Sequence, residues 1–265
     1  MSKPRKRMIS YRPWGSTEDG RIEFESLTDE TLKGALDVIR KGFFPYESVC
    51  TAVELNSEPG ASEELEKLCL GAARDGVSVV AVDIVTNEVV GVAFNKIQVL
   101  NNSEKSYFEQ FSDNCRCKSS KYLIDFMIDV DSKKNLFEHY GVDCILEIMF
   151  LAILPTYRKR RLGELLVASS MEVGRELKNG KKDVKIPITV DGLRELTNAE
   201  VVPSLISAIM TSNYSLKIAM KLRFNQLLQV SYEDYEFNGK KFSERINREH
   251  RFCTLVAKRI ASTSK

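Results

Sequence analysis

Apolar and polar positions along the chain follow two rhythms, and the switches between them mark the elements. Residues 21–26 read R-I-E-F-E-S, apolar at every second position, which is the period of a half-buried strand. Thr28 and Asp29 then give a helix-start signal, and Leu32, Ala35, Leu36 and Ile39 follow at helical spacing as far as Lys41 and Gly42. Pro45 blocks any continuation of that helix. Residues 62–74 put Leu65, Leu68, Cys69 and Ala72 on one helical face, with Asp75-Gly76 as the turn after it. Two β-branched runs, 77–85 and 89–100, flank Thr86-Asn87-Glu88 and predict a hairpin. Residues 101–121 are polar and irregular, and 122–140 predict a helix. A long buried strand over 144–154 ends at Pro155, and a helix is expected over 163–178. The remaining signals are a strand at 205–211, a helix at 214–222, and strands at 227–231 and 252–257. Residues 179–203 carry no readable period, and residues 1–20 look like a flexible basic tail.

Strands and helices interleave with no repeat and no break in composition. The expected fold is α/β or α+β, a single domain over residues 21–265 built on a mixed sheet.

The chain has 265 residues, 43% of them hydrophobic and 29% charged, a balance that excludes disordered and collagen-like classes. That length can bury a sizeable core without staples. A net charge of +2 excludes bulk binding of polyanions, so any nucleic-acid role needs a local patch. No apolar run approaches the roughly 18 residues of a membrane span. The basic N-terminus is not followed by an apolar stretch, so no secretory signal is expected. Cys50, Cys69, Cys115, Cys117, Cys144 and Cys253 are scattered, as reduced thiols of a cytoplasmic protein would be. Cys115 and Cys117 form a lone C-x-C, a poor zinc signal, and neither His139 nor His250 sits in a metal or triad pattern. No metal is expected. The aromatics of 232–237, Y-E-D-Y-E-F, read mainly as packing.

The sharpest feature is L-E-I-M-F-L-A-I-L-P-T-Y-R-K-R-R-L-G-E-L-L-V, residues 146–167. A buried strand leads into four consecutive bases, Arg158, Lys159, Arg160 and Arg161, and then into a helix opened by Gly163. A helix N-terminus presents unpaired N–H groups and partial positive charge, which suits an anion and accommodates a diphosphate. The arginines would add charge-assisted contacts. From charge alone, a solvated basic turn or a nucleic-acid patch stays open.

The segment L-P-T-Y-R-K-R-R-L-G-E resembles the coenzyme A pyrophosphate loop of the GNAT N-acetyltransferases, V-x-P-x-Y-R-x-x-G-x-G/A. Further segments are similar to the insect-type arylalkylamine N-acetyltransferases. F-F-P-Y-E-S-V at 43–49 resembles F-F-x-x-E-P-L, and E-E-L-E-K-L through G-V-A-F-N at 63–95 resembles the helix and hairpin after it. A-I-M-T-S-N-Y-S-L-K-I-A-M-K-L-R-F at 208–224 resembles F-T-S-x-Y-S-x-x-I-A-x-K-L-G-F, and G-K-K-F-S-E-R-I through A-K-R at 239–259 resembles the C-terminal end. The likeness spans roughly residues 21–260.

The resemblance implies a GNAT fold: a mostly antiparallel central sheet flanked by helices, with two splayed strands holding acyl-CoA. It implies acetyl-CoA as co-substrate and a small primary amine as partner, and it disfavours nucleic acid; no membrane partner is expected. The backbone at Leu151, Ala152 and Ile153 would meet the pantetheine arm. Arg158, Lys159, Arg160, Arg161, Leu162, Gly163 and Glu164 would meet the diphosphate. Acetyl transfer needs a base for the amine, a donor for the thioester oxygen and a proton or hydrogen bond for the departing thiolate. Glu47 matches the family's base and has Phe43, Phe44 and Tyr46 as apolar company. The tyrosine that many GNAT enzymes use as acid is replaced by Ala219, which passes that role to Thr211 or Ser215. Thr211 and Ser212 also read as helix caps. Phe43, Tyr46 and Phe150 are the expected acceptor-pocket residues.

Three sites depart from the family pattern. Arg161 and Arg223 stand where glycines are expected, and Ser48-Val49 replaces Pro-Leu after the base. These departures keep open a degenerate acyl-CoA-binding module. A protein lysine acetyltransferase and a nucleic-acid binder stay open as well. Direct attack in a ternary complex is expected, because no nucleophilic cysteine is visibly placed for a ping-pong route.

Overall fold

The structure, a computed structural model, describes residues 13–100 and 105–261. The strands are β1 Pro13–Ser16, β2 Ile22–Ser26, β3 Val79–Asp83, β4 Glu88–Val99, β5 Cys144–Ile153, β6 Leu205–Met210, β7 Asn225–Ser231, β8 Glu236–Phe237, β9 Lys240–Lys241 and β10 Phe252–Arg259. The helices are α1 Asp29–Val38, α2 Ser48–Ala52, α3 Ala61–Ala73, α4 Tyr107–Asp113, α5 Lys118–Ser132, α6 Leu136–Tyr140, α7 Leu162–Lys178, α8 Asn213–Lys221 and α9 Phe242–Arg245. Eight strands form one sheet in the order β1-β2-β3-β4-β5-β6-β10-β7, while β8 and β9 pair separately. Only β5 and β6 run parallel within the eight; their neighbours pair antiparallel. This is the mixed, mostly antiparallel sheet that the sequence predicts.

The sheet splits at its centre. β5 pairs with β4 along its whole length, from Val99↔Cys144 to Gly91↔Ile153. Phe94 faces Phe150 and Asn95 faces Ile148, so Met149 is an extra residue, a β-bulge that bends the strand. On its other edge β5 pairs with β6 only from Ile145↔Leu205 to Ile148↔Ala208. Past the bulge the two part, and β6 continues with β10 through Ile209↔Leu255 and Met210↔Thr254. The backbone edge of 149–153 therefore opens into a notch.

The bulge also resets which face each side chain takes. A Cβ on Gly174 of α7 would lie 3.3 Å from Leu146, and one on Gly163 would lie 4.0 Å from Leu151. Leu146 and Leu151, an odd number of positions apart, can share the α7 face only because Met149 intervenes. Leu166, Val167, Val173 and Leu177 of α7 are buried on that face. Phe150 is thereby turned to the opposite face, where it meets Phe43 edge-on at 5.3 Å.

Several segments differ from the sequence expectation. Residues 13–16, placed in a flexible tail, form edge strand β1 on β2, and Trp14 Nε1 donates to Ser26 Oγ at 3.0 Å. Residues 1–12 of that tail lie outside the described residues, as do 101–104 of the irregular segment. Within 101–121 the chain forms α4, started by a capping box between Ser106 and Glu109. The single helix expected over 122–140 is two, because Asn135 restarts it by accepting from Glu138 N at 3.2 Å. Residues 179–203 hold a short 3₁₀ turn at Lys182–Val184 and an isolated bridge between Val190 and Leu193. Lys185 and Asp75 anchor that segment. Lys185 Nζ donates to the carbonyls of Asn198, Ala199 and Val201 at 2.5, 3.0 and 2.9 Å. Asp75 takes Lys96 Nζ at 2.7 Å, Asn198 Nδ2 at 3.2 Å and the Thr197 hydroxyl.

Candidate active site

Three pieces of chain converge on the mouth of the notch. The first runs from α1 through a π-helical turn, Ile39–Phe43, to α2. Gly42 makes this route possible: a Cβ there would sit 2.7 Å from the carbonyl oxygen of Ile153, at the end of β5. Pro45 then ends the turn and Glu47 caps α2, its Oε2 accepting from Cys50 N at 2.6 Å. Glu47 Oε1 is buried and has no hydrogen-bond partner among the described residues. A buried acceptor left without a partner is costly, and it is the group best placed to take a proton from an incoming donor.

The surroundings of Glu47 are thiols and a phenol. Burial pushes the Cys50 thiol well up from its ordinary range, with the charge of Glu47 adding to it. Burial and then Glu47 act on Cys253 in the same direction. Both shifts favour the neutral thiol, the less nucleophilic form.

The second piece is the turn from β6 into α8. Ser212 caps α8, with Ser215 N donating to Ser212 Oγ at 3.1 Å and Ser212 N to Ser215 Oγ at 3.3 Å. Ser215 Oγ also donates to the Ser212 carbonyl at 3.0 Å, so its hydroxyl is committed to the cap. Thr211 stands outside that box, and its carbonyl accepts from Tyr232 Oη at 2.7 Å. Ala219 is buried, as a residue with no polar role should be.

The third piece is the basic loop, in which Tyr157, Arg158, Arg160 and Arg161 are each tied. Tyr157 Oη donates at 2.9 Å to Asp83, whose carboxylate also accepts Arg21 Nε at 3.0 Å. Burial opposes the charge on Asp83, but these two donors hold its carboxyl below the usual range. Arg158 donates to the Gly42 carbonyl at 3.0 Å and lies over the Tyr46 ring, while Arg160 lies over Tyr157. Arg161 grips Glu164 with two hydrogen bonds, 3.2 and 2.8 Å, and Lys221 reaches the same carboxylate at 2.7 Å. The Arg161 hydrogen bond, with help from Lys221, brings the Glu164 carboxyl down to about 2. Arg161 caps α7 with φ 61°, and Lys159 has φ 64°. The Arg161 side chain makes no cap hydrogen bond to the N–H groups that open α7. Gly163 is tightly placed, with Ile218 of α8 3.1 Å from where a Cβ would be.

Most of the site residues singled out in the sequence lie at this mouth. The edge at Leu151, Ala152 and Ile153 lines the notch, and the loop from Arg158 to Glu164 follows it. Phe43 and Phe150 meet, whereas Tyr46 is 55% exposed and stands on the loop side under Arg158. Gly42, Asp83, Lys221, Tyr232 and Cys253 also build the site but carry no local signal in the sequence.

No protein-family model matches the chain. Among solved structures it is similar to arylalkylamine N-acetyltransferase 2 of Aedes aegypti, at 23% identity and TM-score 0.73 over 91% of this chain and 99% of that one. The mosquito arylalkylamine N-acetyltransferase-like 5b gives 18% identity and TM-score 0.70, covering 90% and 99%. The Drosophila melanogaster polyamine N-acetyltransferase, which forms N-acetylagmatine, gives 16%, 0.68, 90% and 99%. The chain therefore has the GNAT fold, in the form seen in the insect arylalkylamine N-acetyltransferases.

Proposed function

We propose that the protein transfers the acetyl group of acetyl-CoA to a small primary amine, of the arylalkylamine type or a close relative such as a polyamine or agmatine. The observation that carries this reading is Oε1 of Glu47, buried and without a hydrogen-bond partner among the described residues, at the mouth of the split between β5 and β6. The residues present fit acetyl-CoA. The edge of 149–153, which β6 leaves past Ile148, offers N–H and C=O groups to an extended amide arm, and the N–H groups opening α7 in this basic loop suit a diphosphate. Bound there, acetyl-CoA supplies the acyl thioester.

Glu47 accepts the proton that the amine must lose. The amine nitrogen forms a bond to the acyl carbon as the carbon–sulfur bond breaks, and the departing thiolate is protonated from Glu47 or through solvent, which returns the proton taken from the amine. Thr211 supplies the hydroxyl that hydrogen-bonds the sulfur or positions the amine. Ser215 is the weaker candidate for that role, because its hydroxyl is used in the helix cap. Phe43 and Phe150 give the acceptor an apolar wall on the Glu47 side. The amine and polyamine acetyltransferases with the same fold support this acceptor class.

Free-thiol release from acetyl-CoA, measured across a panel of arylalkylamines, diamines and peptides, tests the reading. Amine-dependent release that falls about 100-fold or more in Glu47→Gln supports it, the scale of a lost general base. Binding of acetyl-CoA with no release for any acceptor favours the degenerate module, and release with peptides alone favours a protein acetyltransferase.

A further inference from the structure

Tyr232 is fully buried, and its ring packs near those of Phe126 and Phe242, with centroids 6.2 and 6.3 Å away. That much is the packing role read from the sequence. Its hydroxyl does something more specific. It donates at 2.7 Å to the carbonyl of Thr211, where β6 passes into α8. Burial pushes the Tyr232 phenol well up, and Cys253 and then Glu47 push it the same way, so both lie within its electrostatic range. Ser48 follows Glu47 directly and opens α2, and it too is buried. One phenol is thus hydrogen-bonded to the segment holding the proposed hydroxyl and lies within electrostatic range of the proposed base. Its backbone is fixed as well, since Tyr232 N donates to the Arg251 carbonyl at 3.2 Å.

We infer that Tyr232 is a positioning residue for acetyl transfer, its hydrogen bond to the Thr211 carbonyl setting where the Thr211 hydroxyl stands relative to Glu47. The inference rests on the acetyltransferase reading and adds a residue to it. Tyr232 touches no substrate in this scheme and acts through Thr211. A side chain that merely fills space would tolerate loss of its hydroxyl, whereas a strut that sets a reacting geometry would not.

The test is a double-mutant cycle of Tyr232→Phe and Thr211→Val on the intact chain, with steady-state kinetics on the amine that gives most thiol release. Tyr232→Phe is expected to lower kcat about tenfold, while KM for acetyl-CoA stays within about twofold. In the Thr211→Val background the same change is expected to cost almost nothing further, because the group it positions is gone. Incorporation of 3-fluorotyrosine at 232 keeps the donor and should hold kcat near wild type, which covers the case in which the phenylalanine variant folds poorly. A Tyr232→Phe kcat within about twofold of wild type, losses that multiply in the double variant, or failure of 3-fluorotyrosine to rescue would overturn the inference. Amide exchange separates this failure from that of the acetyltransferase reading. Even if no amine is turned over, exchange at residues 212–215 should be about tenfold faster in Tyr232→Phe, and unchanged exchange there overturns the positioning role.

Discussion

The guanidinium of Arg158 lies 4.3 Å from the centre of the Tyr46 ring while donating to the Gly42 carbonyl at 3.0 Å. The basic loop is thereby fastened to the turn that carries Glu47, one residue beyond Tyr46. Equal charge alone would not reproduce this contact, because a lysine cannot both stack and donate in a plane. Arg158→Lys and Arg158→Ala are both expected to lower kcat/KM for the amine by about tenfold, a loss of one stacked, hydrogen-bonded cation. Affinity for acetyl-CoA should fall less, since Arg158 is turned toward the aromatic turn. Parallel calorimetry on acetyl-CoA and kinetics on the amine check it; an equal loss on both sides would mean that Arg158 serves the diphosphate alone.

Arg223 and Arg161 occupy glycine-like backbone positions with different consequences. Arg223 has φ 60° just past the end of α8, where Phe224 N returns to the Ala219 carbonyl at 2.9 Å and Arg223 N to Met220 at 3.0 Å. That pair of bonds is a Schellman ending, which glycine fits without strain. Arg223→Gly should stabilise the fold by about 1 kcal/mol and raise Tm by about 2–4 °C for a chain of this size. Arg161→Gly relieves the same kind of strain but gives up the two-pronged contact with Glu164, so its Tm should stay near wild type. Thermal melts of the two single variants check the contrast.

Glu164 predicts a specific acid response. Its carboxyl stands at about 2 because Arg161, then Lys221, hydrogen-bond the charged form. A depressed carboxyl adds stability that is complete above the ordinary carboxylate range near ~4.3 and is lost as pH falls through the folded value. Glu164→Gln should therefore flatten the fall of stability between those two pH values and leave the slope above them unchanged. Arg161 is largely exposed, so the difference should shrink in high salt. Urea melts across pH 2–5, at low and high ionic strength, measure it; an unchanged acid slope would mean that the pair contributes no net stability.

The parts of this architecture legible in the sequence are those written in contiguous residues. The run from Cys144 to Lys178 announces strand, loop and helix because each element's period and punctuation lie next to one another. Glu47 is reachable through a short motif, although its unpaired oxygen is not. Helix α4 escapes a reading by period because its residues are mostly polar, yet Ser106 and Glu109 spell a capping box. The Met149 bulge has no signal at all: an extra residue exists only relative to the partner strand β4. The junction at Tyr232 is hidden for the same reason. Tyr232 reaches the Thr211 carbonyl, 21 positions away in sequence, only when the chain folds back, and nothing local in Y-E-D-Y-E-F distinguishes a strut from a packing aromatic.

The segment 179–203, unreadable by period, is held by a charge instead of by a ladder of strand bonds. Lys185 is 6% exposed and gives its ammonium protons to three carbonyls, those of Asn198, Ala199 and Val201. Burial pulls the Lys185 pKa down, so the three carbonyls are what keep an ammonium tolerable there. Lys185→Met fills the same space but strands three acceptors, which should destabilise the fold by about 3 kcal/mol. The damage should be local first, because Asp75 still accepts from Asn198 and the Thr197 hydroxyl. Limited proteolysis of Lys185→Met should therefore cut within 190–203 well before the β5–α7 unit is attacked. Simultaneous cleavage of both regions would instead show that this segment and the central sheet unfold as one unit.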